Sequence, residues 1–413
     1  MSIALTATSS ATEAMTNLTN QWYNAVVTGG GYDPSTFQLA QGFVPLGNVS
    51  ELMWNQVDAL PPVSTSHYWN PAQVSSFANT YGGVINNLVP PSSNDFAKAM
   101  GDSMAAWNSY VAGLRTQTPP FQMPAGGMLP VFTSWAQLNI PDPSQAQQAI
   151  TAYQQVAGGT VPSAVSMWLA AGGNSGLKAY NQTIKDLTSQ LTAATPGFTV
   201  SMNSATQSSD TTHTWANGHV SGLFDFFEGG GGASWDDLTV KLFQAEVQID
   251  ATINHALTFP CGPLARPSTE QGLSTYNPWY SSEALNIAYQ HNDYFTWQQQ
   301  PPTWTDTFGP DGNLRYVTTA LVVASGITVT INSAVSYSDE ERSSVEASFK
   351  FGFFPFFGAD ASGGWTHHVQ KLDSTGITVT RTIPEGVPAV FGAMVTPVGG
   401  FLSSRPERLG RRR

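Results

Sequence analysis

The sequence predicts an α+β protein in which a helical N-terminal region packs on a duplicated antiparallel β region. Apolar residues follow helical spacing up to about residue 195 and alternate with polar residues from Phe198 onward. Part of the β region also occurs twice, because residues 197–205 recur as 326–334 and residues 222–227 recur as 352–357. We therefore expect two strand units that bury their apolar faces together as a sandwich-like pair with pseudo-twofold symmetry.

These patterns divide the chain into five regions. Residues 1–195 form a mainly helical region with Pro/Gly-rich loops, and residues 196–260 form the first β repeat. An aromatic-rich insert covers residues 261–312. The second β repeat and a final strand cover residues 313–402, followed by an Arg-rich tail at 403–413.

The helical region contains five segments with apolar residues at helical spacing. They lie at residues 15–26, 70–88, 96–114, 144–156 and 177–191. Asn70-Pro71 is a typical helix start, and Ser144 with Gln147 is a possible capping box. The Pro- and Gly-rich segments 37–62 and 119–143 are predicted to be ordered irregular coil.

Alternation of apolar and polar residues predicts half-buried antiparallel strands in the β region. The predicted strands lie at residues 199–202, 247–249, 328–331, 377–380 and 387–398. A short helix is predicted at residues 282–291, inside the aromatic-rich insert.

The charge composition limits the classes of partner. Only 11% of the residues are charged and the net charge is −12. The last nine residues hold five arginines and Glu407, a charge of +4, so the remainder carries about −16. An acidic body argues against general nucleic-acid binding, except through the tail at 405–413. A neutral, polar surface is typical of proteins that self-associate or contact glycans or lipids.

The sequence offers little for covalent or metal chemistry. Cys261 is the single cysteine, and no Cys/His cluster has zinc spacing, so no cofactor is predicted. The alternative is a metal site built from His213, His219 and His367 with Asp237. The N-terminus lacks a secretory signal pattern, so we expect cytosolic synthesis and, if the protein is released, a non-classical export route.

Aromatic residues are the candidate binding residues. Trp and Tyr rings stack on sugars, and a Phe cluster beside Gly turns can enter a membrane or fill a core. The candidates are Tyr276, Trp279, Tyr280, Trp297 and Trp304 in the insert and Phe353, Phe354 and Phe356 in the second repeat. Acidic pairs such as Asp236-Asp237, with Glu283 and Asp293 in the insert, leave a glycosidase-like enzyme open.

Two C-terminal motifs, at residues 351–358 and 383–392, together resemble the C-terminal pattern of some uncharacterised bacterial and fungal proteins. The resemblance covers less than a fifth of the chain and implies no function. We therefore expect a non-catalytic self-assembling or ligand-binding protein. The alternatives are a membrane-active, toxin-like protein that uses an aromatic hairpin, and a carbohydrate- or metal-dependent enzyme.

Overall fold

The computed structural model describes residues 2–62, 69, 76–88, 94–119, 121, 124, 128–157, 159–194, 197–207, 246–292, 297, 303–336, 338–340, 366–372 and 376–403. These residues form helices packed on an antiparallel sheet, so the mixed helix-and-sheet class is confirmed. The helices are α1 (Ser2–Gly30), α2 (Ser50–Asp58), α3 (Phe77–Asn87), α4 (Asn94–Met100), α5 (Ser103–Thr116), α6 (Met128–Asn139), α7 (Pro143–Ala157), α8 (Thr160–Ala170), α9 (Ile184–Thr192), α10 (Ser282–Gln290), α11 (Thr303–Phe308) and α12 (Val398–Ser403). The strands are β1 (Phe37–Pro45), β2 (Thr199–Asn203), β3 (Val247–Pro260), β4 (Tyr316–Ser333), β5 (Thr366–Leu372), β6 (Gly376–Ile383) and β7 (Ala389–Pro397).

The sheet is organised around the long strand β4, which has two successive neighbours on one side. Its first part, residues 316–324, pairs with β7, and its second part, residues 327–333, pairs with β6. Gly326 lies between the two parts with φ +63°, and an added Cβ there would approach the Asn254 side chain to 2.8 Å. Glycine is therefore required where β4 changes its partner.

This change of partner divides the sheet into two halves. The covered half comprises β1, β7, residues 316–325 of β4 and residues 255–260 of β3. The hairpin half comprises two antiparallel strand pairs: β2 with residues 247–254 of β3, and residues 327–333 of β4 with β6. We call these pairs the first and the second hairpin, although β5 lies between β4 and β6 in the sequence. Strand β5 pairs with β6 at the end of the hairpin half.

The covered half is packed on both faces. Val322 and Ala324 of β4 face the cluster that includes α1, whereas Leu321 and Val323 face a second cluster built from helices and the aromatic insert. Burial along this part of β4 is therefore nearly continuous. In the hairpin half the described residues cover one face, and the burial of β4 alternates from Ile327 onward.

Aromatic side chains fill the helical part of the molecule. Trp279 lies at the centre of the second cluster, with its ring centroid 5.8 Å from those of Tyr81 and Tyr180 and 6.0 Å from that of Trp168. A third cluster joins α4 to α7 around Phe132, whose ring stacks on Tyr153 at 4.2 Å.

Several predictions from the sequence need correction. The expectation of irregular coil is wrong where β1 and α2 form, and where α6 forms. The apolar stripe at 96–114 spans two helices because Gly101 has φ +49°. The five predicted strands are confirmed as β2, β3, β4, β6 and β7, and the predicted helix at 282–291 as α10. The seven described strands all belong to one sheet, so two sheets facing each other are not confirmed in that part of the chain.

Candidate functional site

The solvent-facing side of the hairpin half carries aligned polar rows. In the first row, Thr199 pairs with Thr252, Thr252 with Thr328, and Thr328 with Thr382. Two further rows run parallel to the first. Each of the three rows crosses the four strands β2, β3, β4 and β6, so each strand contributes three residues. We call this surface the polar face: Thr199, Ser201, Asn203, Gln248, Asp250, Thr252, Thr328, Thr330, Asn332, Thr378, Thr380 and Thr382. Asp250 is its one charged residue, and every side chain is partly or fully exposed.

Hydrogen bonds join neighbouring strands across this face. Ser201 Oγ donates to Asp250 Oδ1 at 2.7 Å, and Gln248 Nε2 donates to Ser201 Oγ at 2.6 Å. On the other hairpin, Thr378 Oγ1 donates to Asn332 Oδ1 at 2.8 Å. Such cross-strand pairs fix the register and hold the side chains in order. The face therefore presents hydroxyl and amide groups at the regular spacing of a sheet.

The two hairpins also share one register. The pair Thr199 with Thr252 in the first hairpin corresponds to Thr328 with Thr382 in the second, and Asn203 with Gln248 corresponds to Asn332 with Thr378. These correspondences follow the sequence repeat, whose offset is 129 residues on one strand and 130 on the other. The sequence shows the similarity of the two segments but not the polar face, because the register between distant strands is not visible in a sequence.

One edge of the hairpin half is strand β2, which helix α1 contacts. Gln21 Nε2 donates to the Asn203 carbonyl at 2.9 Å, and Asn203 N–H donates to Gln21 Oε1 at 3.1 Å. Both backbone groups of Asn203 thus point away from β3. Because alternate residues of an antiparallel strand point the same way, those of Thr199 and Ser201 also point outward.

The other edge of the hairpin half is β6, which β5 covers. Thr366 pairs with Thr382, His368 with Thr380, and Gln370 with Thr378. In an antiparallel sheet, successive residues direct their backbone N–H and C=O groups to opposite sides of the strand. When this alternation is carried from β2 through β3 and β4 to β6, the backbone groups of Thr378, Thr380 and Thr382 point toward β5. Strand β5 therefore occupies the hydrogen-bonding edge of the second hairpin.

The aromatic candidates of the insert mostly lie inside the protein. Trp279, Tyr280 and Trp297 are buried, and the Trp279 and Trp297 ring nitrogens donate to the carbonyls of Ala179 and His291 at 2.6 and 2.7 Å. Their faces contact other side chains, so in this conformation they do not offer a stacking platform to a sugar.

The other two aromatic residues of the insert are partly exposed. The Tyr276 hydroxyl donates to Glu51 Oε1 at 2.7 Å, and Trp304 Nε1 donates to the Tyr289 carbonyl at 3.1 Å. Each is held by one hydrogen bond at its polar tip. The structure does not bring the five aromatic residues of the insert together as one exposed surface.

The remaining candidates fall mainly outside the described residues, namely Phe353, Phe354, Phe356, His213, His219 and Asp237. His367 lies in β5, where it pairs with Arg381 of β6. Within the described ranges, no group of three or more His, Cys, Asp or Glu residues is arranged to hold a metal ion. Nor does any described helix combine the length and hydropathy of a membrane span.

A buried polar cluster joins α2, α3 and the segment before α9. Asp58 Oδ1 accepts hydrogen bonds from the Ala78 N–H and the Tyr180 hydroxyl, both at 2.8 Å. Burial raises the pKa of Asp58 above its usual value, although these hydrogen bonds oppose the shift. Because the carboxylate caps the start of α3 and bonds a buried tyrosine, its role in the structure is to join these elements.

Lys178 lies beside this cluster, in a cage of main-chain carbonyls. Its ammonium donates to the carbonyls of Ala171, Gly173 and Gly176 at 3.0, 2.5 and 2.7 Å, and lies 4.3 Å from the Trp168 ring centroid. Burial lowers the pKa of Lys178 to about 8. The three carbonyls occupy the donors of the ammonium, so this lysine holds the loop after α8 in place.

Two carboxyl groups meet at the start of α9. Burial raises the pKa of Asp186, but hydrogen bonds from the Thr183 hydroxyl at 2.6 Å and N–H at 2.8 Å outweigh it and hold the pKa below its usual value. Burial and the neighbouring Asp186 raise the pKa of Glu270. The sequence shows the Thr183-x-x-Asp186 capping box, whereas Glu270 comes from a distant loop that no local pattern identifies.

Among the described surfaces, the polar face and its two edges have the most regularly spaced polar groups. These groups can form hydrogen bonds with a second surface. In comparisons with known proteins, no family model, no curated protein and no solved structure matches this chain.

Proposed function

We propose that the protein is a non-catalytic, self-associating binding protein that joins copies of itself through the hairpin half of its sheet. The observation that carries this proposal is the shared register of the two hairpins, which lie side by side and bond to each other through β3 and β4. The chain already contains one junction between two such units. A junction of the same kind between two molecules needs no new type of contact.

The proposal includes the duplication of the hairpin as its origin. Matching residues of the two hairpins occupy matching positions, and the repeated side chains are those of a packing unit rather than titratable groups. Two units that pair edge to edge within one sheet bury their apolar residues in the cluster formed with α1, β1 and β7, rather than as two sheets facing each other. This arrangement replaces the sandwich-like pair with an extended sheet.

The character of the polar face supports assembly. Charged side chains on sheets repel further copies, and natural proteins use them to prevent edge pairing. The polar face has one charged residue among its hydroxyl and amide groups. Rows of such uncharged groups can continue onto an added strand without charge repulsion. We propose that the same face contacts hydroxyl-rich surfaces, such as glycans, once copies are joined.

Size-exclusion chromatography with light scattering tests the proposal over rising protein concentration. We expect masses at multiples of one chain. Ser201→Pro removes an outward N–H of the edge strand β2 while leaving its bonds to β3. It should therefore raise the midpoint concentration of assembly at least tenfold. Ser201→Ala removes the same hydroxyl but keeps the N–H, and should assemble normally. A protein that stays monomeric at every concentration would exclude self-association.

A second candidate function is membrane activity, favoured by where the described strands end. Strand β2 ends at Asn203, which pairs with Gln248, and β3 begins one residue earlier at Val247, opposite the last residue of β4, Ser333. The chain therefore leaves the sheet at one common end on its way to both aromatic segments, residues 222–227 and 349–357, which lie outside the described residues.

Dye release from phosphatidylcholine vesicles separates this candidate from assembly alone. If the aromatic segment of the second repeat enters the bilayer, Phe354→Asp abolishes release. Leu138→Asp is the matched control, because Leu138 is an apolar residue of α6 that is 85% exposed. Absence of release by the unmodified protein, or equal release by both variants, would exclude this candidate.

A further inference from the structure

We propose that β5 occupies the place of strand β2 of a second copy, so that displacement of β5 opens a head-to-tail junction between β6 of one molecule and β2 of the next. This inference rests on the proposed self-association and identifies its interface. Three features of the described strands support it: their directions, their registers and the positions of their backbone hydrogen-bonding groups.

Strand direction identifies the pairing partner. Because every strand pair here is antiparallel, β2, β4 and β5 run one way, while β3 and β6 run the other way. A second molecule added in the same orientation therefore presents its β2 antiparallel to β6 but parallel to β5. The junction already present in the chain, between β3 and β4, is antiparallel. The equivalent junction between molecules is thus β6 with β2, at the position that β5 holds.

The register of this junction follows from the one inside the chain. Thr252 pairs with Thr328 where the two hairpins meet. The repeat relates Thr252 to Thr382 and Thr328 to Thr199. Thr382 should therefore pair with Thr199 of the second copy. On the same register Thr380 pairs with its Ser201, and Thr378 with its Asn203.

Strand β5 already shows the pattern that this junction requires. Thr366, His368 and Gln370 are in register with Thr382, Thr380 and Thr378, the positions that Thr199, Ser201 and Asn203 of the second copy would take. The sequences Thr-His-His-Val-Gln of β5 and Thr-Val-Ser-Met-Asn of β2 have polar residues at these same three positions. In register and in these three polar positions, β5 therefore corresponds to β2.

The backbone groups of the two edges are also complementary. In β2 the N–H and C=O groups of Thr199, Ser201 and Asn203 point outward, as the bonds between Asn203 and Gln21 show. In β6 the groups of the residues opposite them point toward β5. The two edges therefore match at every second residue without a shift of register. Gln21 has to release Asn203 for the junction to close over its full length.

Disulfide cross-linking between separately purified variants tests the interface. One preparation carries Ser201→Cys and the other carries Thr380→Cys, and the two are mixed under mild oxidation. The expected cross-strand Cα separation of about 5.5 Å suits a disulfide. We expect cross-linked dimers from the mixture and none from either preparation alone. Cys261 is buried and the unmodified chain serves as the control for it.

A second mixture tests the register. Thr199→Cys mixed with Thr378→Cys places the thiols four residues out of register and should give at least tenfold less cross-linked dimer. Equal yields from both mixtures, cross-linking within one preparation alone, or no cross-linking from a sample that light scattering shows to be assembled would each overturn this interface while leaving self-association intact. A sample that never assembles and never cross-links would overturn both.

Discussion

The covered half and the hairpin half share strands β3 and β4 but differ in what lies on their second face. In the covered half, helices pack on that face, and residues such as Leu321 and Val323 are fully buried there. In the hairpin half the same strands present Thr328, Thr330 and Asn332 to solvent. Strand β4 is thus buried on both faces before Gly326 and has one buried and one solvent-facing side after it.

Under the proposed function, this difference separates the half of the sheet that stabilises the fold from the half that binds a second molecule. A half that is buried on both faces contributes most of the hydrophobic stabilisation, at roughly 25 cal/mol per Å² of apolar area. A face of hydroxyl and amide groups contributes little to stability, because each group exchanges bonds with water for bonds with a neighbour. The proposed contact with a second molecule would give this regular polar surface a role.

The largest expected effect is the loss of a core residue beside the covered half. Trp279→Ala removes a buried ring from the centre of the aromatic cluster and should lower the free energy of unfolding by about 3–5 kcal/mol. Thr330→Ala, on the polar face, should change it by less than about 1 kcal/mol. Urea unfolding followed by tryptophan fluorescence and circular dichroism measures both. Similar losses for the two variants would contradict the division of the sheet.

The buried Asp58 gives a smaller effect with a defined pH dependence. Its pKa is raised in the folded chain, so the folded state holds the proton more tightly than the unfolded state does. Its contribution to stability is therefore present below its ordinary pKa of 3.8 and is lost as the pH rises through its higher folded value.

Asp58→Asn removes this titration while retaining an acceptor for the Tyr180 hydroxyl. The difference in unfolding free energy between the unmodified protein and this variant should decrease from pH 4 to pH 7, by about 1 kcal/mol for each unit by which folding raises the pKa. Urea titrations at both pH values give this difference. An increase toward pH 7 would show that the carboxylate is stabilised, not destabilised, in the fold.

The smallest effect on stability, and a large one on assembly, is expected in β5. His368 lies opposite Thr380 with its N–H toward β6, so His368→Pro removes a ladder hydrogen bond and should lower the assembly midpoint concentration at least tenfold. His367→Pro removes an outward N–H and should have little effect. Light scattering over a concentration series compares them. A stronger effect from His367→Pro would place the interface on the outer edge of β5.

Much of the fold follows from local patterns in the sequence. Strict alternation in residues 199–202 and 328–331 predicts half-buried strands, and these strands form. By contrast, Phe37-Gln38-Leu39-Ala40 begins a strand whose first residue pairs with Met394, 357 positions later, and no local pattern records that partner. The coil expected at 119–143 likewise becomes helix α6 because Phe132 and Trp135 pack on α7 and its neighbours.

The sequence predicts less of the candidate site than of the fold. The aromatic residues of the insert suggested a binding surface, but periodicity does not distinguish a ring that stacks on a ligand from one that fills a core. Trp279 is buried among other rings. The polar face depends on the pairing of four strands, and only the repeat indicated that two of those pairings would be equivalent.

The most direct test of head-to-tail assembly is the mass of a variant whose β5 is locked to β6. Thr366→Cys with Thr382→Cys places two thiols on paired residues of β5 and β6. The control, Thr328→Cys with Thr382→Cys, joins β4 to β6, a strand pair that is present in both the single chain and the assembly. Light scattering should show the oxidised β5–β6 variant as a single chain that assembles once it is reduced. The β4–β6 variant should assemble in both conditions. Assembly of the oxidised β5–β6 variant to the same mass as the reduced one would contradict the account.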